Sequence, residues 1–239
     1  MSALFSLLAA CLMLLLPITS LQAAPEIAID VGHGGRDTGA ISARGRSEFE
    51  FNRDLAAQLA QTLDERGRRV RSVNFDGNIG SLAARPEAAV GSDFFISIHH
   101  DSVGEAWLLP WFWEGVERTH TEVKRGYGIF VSANNPDPAT SLLCASAMGA
   151  MLRRAGFVPS DWHGRKHAPA DAENGVWYFD NLVVLYRTTL PAVLFEAGVI
   201  KHQDEELELL DPARQARMAD ALATGLAACL QVTGKSVPD

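Results

Sequence analysis

Hydrophobic and polar positions alternate along this chain in two rhythms. Short apolar runs at 27–31, 70–73, 94–98, 129–131, 182–185 and 192–195 have the length and composition of buried strands. Between them lie longer stretches, 48–66, 139–155 and 212–230, whose apolar residues recur at three- and four-residue spacing. In 48–66 that spacing sets Phe51, Leu55, Ala56, Leu59 and Leu63 on one face of a helix, with Ser47 as N-cap and Glu50 completing a capping box. Strands alternating with helices predict an α/β fold: a single domain over 24–231 with a mostly parallel twisted sheet flanked by helices. No repeat and no Ser/Thr/Pro-rich linker divides it, and 232–239 reads as a loose tail.

The first 23 residues follow a different pattern. They carry no charged side chain, run almost purely apolar from Ala3 to Pro17 and end in small residues, which reads as a secretory signal peptide cleaved after Ala23. The run is shorter than the roughly 20 residues that span a bilayer, so no stable membrane anchor is expected. The protein is expected to be exported, to the periplasm or the cell wall.

Composition narrows the classes. At 47% hydrophobic the chain buries a core, and 21 basic against 29 acidic residues, a formal charge of −8, argue against a nucleic-acid partner. Once Cys11 leaves with the leader, only Cys144 and Cys229 remain, both among apolar neighbours. They read as buried small hydrophobes rather than a bridge, and neither has the Cys-x-x-Cys spacing of a zinc site.

The chemistry stands at the ends of the strand runs. Run 27–31 passes into Gly32-His33-Gly34-Gly35, run 94–98 into His99-His100-Asp101, and run 192–195 into Glu196-Ala197-Gly198. Parallel strands share one carboxyl edge, where ligands bind, so His33, His99 and Glu196 converge there. Glu48, in the first turn of the first helix, adds a carboxylate. Two imidazoles and a carboxylate around an open position are a common catalytic zinc set, which makes His33, Glu48 and His99 the candidate ligands of one Zn2+ per chain.

These residues carry a family resemblance. Ile29-Asp30-Val31-Gly32-His33-Gly34-Gly35-Arg36-Asp37-Thr38-Gly39-Ala40, Ser97-Ile98-His99 and Pro191-Ala192-Val193-Leu194-Phe195-Glu196-Ala197-Gly198 resemble the signature blocks of zinc-dependent N-acetylmuramoyl-L-alanine amidases of the cell-division type. The resemblance runs from about Ile27 to Leu230. It implies zinc on His33, Glu48 and His99, with Glu196 as catalytic base. It implies hydrolysis of the amide between N-acetylmuramic acid and the L-alanine of the peptidoglycan stem, with peptidoglycan or muropeptide as partner and a protein activator as an open second one. Glu48 is preferred to Glu50 because it keeps Phe51, Leu55, Ala56 and Leu59 on the apolar positions, although Arg53 then stands where a leucine is usual.

There are departures. Val73-Asn74 replaces the usual Thr-Arg, which puts that arginine's role in doubt, and His100-Asp101 follows the second histidine in place of Ala-Asn. Candidate substrate contacts are Arg85, which matches a usual family arginine, His100, Trp111 and Trp113 of a tryptophan-rich stretch at 107–113, and His163 and His167. The stretch reads equally as an aromatic platform for sugars or as a loop packed on the domain, and His100 more as a neighbour of the site than a ligand. Two other functions stay open: a zinc hydrolase of another N-acyl amino acid or small amide, and a non-catalytic wall-binding protein on the same scaffold.

Overall fold

The apolar runs pair into one seven-stranded sheet in the computed structural model, which describes residues 24–233. In chain order the elements are β1 (Glu26–Val31), α1 (Glu48–Glu65), β2 (Arg69–Val73), α2 (Ala84–Ala88), β3 (Phe94–Asp101), β4 (Leu109–Trp113), β5 (Val116–His120), β6 (Gly128–Val131), α3 (Pro138–Arg154), β7 (Pro169–Asp171), β8 (Val176–Tyr178), α4 (Val183–Tyr186), β9 (Ala192–Val199), α5 (Glu205–Leu210) and α6 (Pro212–Val232). The strand order is β2-β1-β3-β9-β6-β8-β7, with β2, β1, β3 and β9 parallel and β6 antiparallel to β9. The fold is thus a single α/β layer domain with a mostly parallel sheet, as the strand-helix alternation predicts.

Side-chain alternation divides the sheet into two faces. Ile27, Ile29, Val31, Phe94, Ile96, Ile98, Val193, Phe195 and Ala197 form one core with α1, α3 and α6. Ala28, Phe95, Phe130, Ala192 and Leu194 form a second core with Val184 and Leu185 of α4. His99 and Glu196 continue the second set, two residues beyond Ser97 and Leu194, and so emerge on that face at its carboxyl edge.

Three expectations are corrected. Run 182–185 is not a strand but enters the one-turn helix α4, where Leu185 N and Tyr186 N donate to Leu182 O. Four apolar residues do not distinguish strand from helix, and here the single turn buries Val184 and Leu185 together against Leu190 and Leu194. Val232, placed in the tail, is the last residue of α6. Cys144 and Cys229 are buried as expected but are also bridged, joining α3 to α6 with Cα atoms 5.1 Å apart. One turn further along, a Cβ at Gly225 would lie 2.5 Å from Met148 Cα, so the helices approach closely enough for the bridge to form. The leader (1–23) and the rest of the tail lie outside the described residues.

The tryptophan-rich stretch forms the hairpin β4-β5, apart from the main sheet. Trp111 Nε1 donates to Ala43 O at 3.0 Å, Trp111 stacks on Trp113, and the Arg44 guanidinium lies 4.6 Å from the Trp113 ring centre. The hairpin therefore packs on the segment that leads into α1.

Candidate metal centre and active site

His33, Glu48 and His99 meet with their ligand atoms within 4.8 Å of one another. Glu48 Oε1 lies 3.2 Å from His33 Nε2 and 3.1 Å from His99 Nδ1. Ser47 and Glu50 form the capping box that starts α1, which puts Glu48 in the first turn, facing the sheet edge. Glu50 spends its carboxylate on Ser47 and points outward. The register that prefers Glu48 is the one whose apolar face is buried, while Arg53 is exposed beside the Phe49 ring.

The centre is held from behind. Glu48 Oε2 accepts from Ala40 N at 3.1 Å, and Oε1 accepts from Asn52 Nδ2 at 3.3 Å. Gly39, with φ +73°, makes the turn beside them, and a Cβ there would lie 2.5 Å from Glu48 Oε2 and 2.8 Å from the His33 ring. His33 itself has φ 64°, a conformation that a side chain adopts only when its surroundings enforce it. Asn74 and Arg85 enforce it by donating to the carbonyls of both Val31 and His33. Asp37 lies 3.6 Å from His33 Nδ1, on the ring nitrogen that points away from Glu48.

Electrostatics favour a cation here. Burial alone would push the Glu48 carboxyl up, but hydrogen bonds to His33 and His99 outweigh it and hold the group well below the usual carboxylate range. Burial would likewise lower His33, and the hydrogen bond and charge of Glu48 outweigh it and raise it. A buried carboxylate flanked by two imidazole nitrogens is the donor set of a site for a divalent transition metal. Glu196 stands directly beside His99 in the parallel ladder, on the same face. Its Oε2 is buried without any hydrogen-bond partner, and burial, with the charges of Asp101 and Glu48, raises its carboxyl well above the usual range.

The remaining candidates separate. Arg85 borders the groove, but its hydrogen bonds hold the His33 turn rather than facing a ligand. Asn74, at the position where an arginine is usual, shares that task. His100 is 2% exposed on the opposite face of β3, beneath α1, with Nδ1 2.8 Å from Asn52 Oδ1. It is no substrate contact and reaches the site only through Asn52 and Glu48, because neighbouring strand residues point to opposite faces. Trp111 and Trp113 are not among the residues lining the groove. His163 joins the site: its Nε2 is 3.6 Å from Asp101 Oδ2, and its ring fills the place of a Cβ at Gly128, which lies opposite Glu196. His167 packs on Phe130 and Phe179 behind it. Asn52, which sequence reasoning missed, had a signal: it is a polar residue one turn after Glu48 on an otherwise apolar helix face.

Beside the centre lies a groove of about 870 Å³, lined by His33, Gly34, Arg36, Leu82, Leu182 and His99 among others. We expect Glu48→Ala to lower affinity for a divalent transition metal by at least about 100-fold, the upper end of what loss of a supporting residue costs. Glu50→Ala should cost about 1 kcal/mol of stability through the cap and leave affinity unchanged. Metal competition and thermal unfolding of the two variants check this.

Comparison with known proteins places this geometry. The chain is 28% identical over 233 residues to the probable N-acetylmuramoyl-L-alanine amidase AmiB of Haemophilus influenzae, covering 87% of this chain and 53% of that one. It is 24% identical over 202 residues to the probable cell wall amidase LytH of Staphylococcus aureus, covering 84% and 56%. It thus spans about half the length of these relatives. In fold it is similar to an N-acetylmuramoyl-L-alanine amidase from Clostridium difficile 630, with TM-score 0.70 and 21% identity over 87% of this chain and 98% of the other. It is similarly close to the amidase Ami1 from Mycobacterium smegmatis, with TM-score 0.70 and 19% identity over 89% and 100%. The sequence profile of N-acetylmuramoyl-L-alanine amidases matches residues 27–228, nearly the whole described chain, and the chain belongs to that family.

Proposed function

We propose that this protein hydrolyses the amide between the lactyl group of N-acetylmuramic acid and the L-alanine of the peptidoglycan stem, with one zinc ion on His33, Glu48 and His99. The observation that carries this reading is the pairing of His99 with Glu196 on adjacent parallel strands, which sets an unpartnered buried carboxylate beside the three-ligand cluster. When bound, zinc supplies a Lewis acid that polarises the amide carbonyl and acidifies water.

Glu196 takes a proton from the attacking water and returns it to the leaving amine of L-alanine, which its raised proton affinity suits. Asn52 and the Ala40 N–H hold the Glu48 carboxylate in place, and Asp37 steadies the His33 ring. The neutral imidazole of His163, kept uncharged by burial, which lowers it to about 4, borders the space in front of Glu196. A binding module has no use for an ionisable base without partners at its metal, which disfavours a wall-binding role.

We place the protein outside the cytoplasm. The buried Cys144–Cys229 bridge suits an oxidising compartment, where the polymer also lies. No helix of the described residues is long and apolar enough to cross a membrane.

Purified sacculi provide the test. Zinc-loaded protein should release stem peptides with a free L-alanine amine, and chelation should stop the release. If zinc-loaded protein releases none, the proposal fails, and cleavage of simple N-acyl amino acids alone would assign the site to a small-amide hydrolase.

A further inference from the structure

Beyond Glu196, on the flank away from the groove, three cations gather around one tryptophan. Lys124 Nζ is 2.7 Å from the Trp162 ring centre, Lys166 Nζ 5.0 Å and the Arg165 guanidinium carbon 5.7 Å, and Lys124 Nζ is also 3.8 Å from the Trp107 ring. Lys124 is only 6% exposed, and its ammonium has no hydrogen-bond partner. Among the described residues none of the three makes an ion pair, whereas Arg44, Arg46, Arg71 and Arg153 each face a carboxylate within 3 Å. In a chain of net charge −8 the cluster is a local positive patch that draws an anion, and Asp101 acts on Lys124 and Lys166 without forming an ion pair with either.

The cluster is tied to the reaction centre. Arg165 and Lys166 leave the turn that begins at His163, whose ring lies against Gly128 opposite Glu196. Lys124 and Lys166 act electrostatically on Asp101, two residues beyond His99. Arg165 and Lys166 are exposed, so they are free to meet a ligand, while the Lys124 ammonium lies over the Trp162 ring beside them.

We infer that Lys124, Arg165 and Lys166 form a carboxylate subsite for the stem peptide, which orients the peptide over this flank and the glycan in the groove beside His33. The inference rests on the proposed amidase reading. The carboxylate nearest the scissile amide is the α-carboxylate of the γ-linked D-glutamate at the second stem position. Trp107 and Trp162 hold the Lys124 ammonium between their rings, which fixes one of the three cations in place.

Two N-acetylmuramoyl tripeptides that differ only in carrying D-glutamate or D-isoglutamine at that position test it. Wild-type protein should prefer the acid by about fivefold in kcat/KM, the scale of one partly exposed ion pair, and the preference should shrink with added salt. In Arg165→Met/Lys166→Met the ratio should fall to about one, and Lys124→Met should narrow it. Equal use of the two substrates by wild type, or a ratio unchanged in the double variant, would overturn the subsite and leave the amidase reading standing. Cleavage of neither tripeptide by protein that releases stem peptides from sacculi would overturn the subsite alone, and release from neither tripeptides nor sacculi would overturn the amidase reading and the subsite with it.

Discussion

Replacing Glu196 with glutamine is expected to lower kcat by about 10²–10⁴-fold, the usual contribution of a positioned general base. Metal content should not change, because Glu196 is not one of the three clustered residues that could hold the ion. KM should change little, since the amide of glutamine keeps the size of the group and loses only its proton affinity. Glu196→Asp should fall nearly as far, because one methylene fewer draws the carboxylate back from the attacking water. A pH profile adds a second readout. A base works only when ionised, so the rate falls as pH drops through its pKa in the folded protein. Burial, then the charges of Asp101 and Glu48, puts that pKa above the usual carboxylate range, so the acid limb lies at higher pH than an exposed glutamate would give. The residual activity of Glu196→Gln should lack this limb. A variant that kept more than a tenth of wild-type kcat would remove Glu196 from the base role.

Loss of the Cys144–Cys229 bridge is expected to have the largest effect on stability. The bridge closes a loop of 85 residues, and its removal frees chain entropy in the unfolded state worth about 4–5 kcal/mol on the loop-closure model. For a domain of this size that corresponds to a melting temperature lower by roughly 10–15 °C. Cys144→Ser and Cys229→Ser should each show it, and reduction of the wild type should reproduce it. Both cysteines lie in the core between the sheet and the helices, on the face opposite His99 and Glu196. Activity measured well below the transition should therefore stay near wild type. A fall of less than about 2 °C would mean that packing of α3 on α6 alone holds this face together.

Legibility varied with how local the determining physics was. The first helix was readable because its cap, its apolar face and its acidic first turn all lie within twenty residues of one another. The central strands were readable because each is buried on both faces and so forms a continuous apolar run. Run 182–185 was misread because the same pattern suits a single buried helical turn, and only its neighbours Leu190 and Leu194 decide between them. The β4-β5 hairpin was not anticipated because its stabilising partners, Ala43 and Arg44, stand more than sixty residues earlier in the chain.

By itself the sequence determined the α/β class and set His33, His99 and Glu196 at strand ends and Glu48 in the first helical turn, because each stands at the end of an element whose identity is written in local periodicity; the role of base came to Glu196 only through the family resemblance. Tertiary structure alone decided which partners these groups meet. It placed Glu196 directly beside His99, sent His100 to the opposite face, gave Arg85 and Asn74 to the His33 turn, joined Cys144 to Cys229 and gathered Lys124, Arg165 and Lys166 around Trp162. These pairings depend on strand order, register and helix approach. Such quantities arise from contacts between residues far apart in the chain, and no local pattern of polarity encodes them.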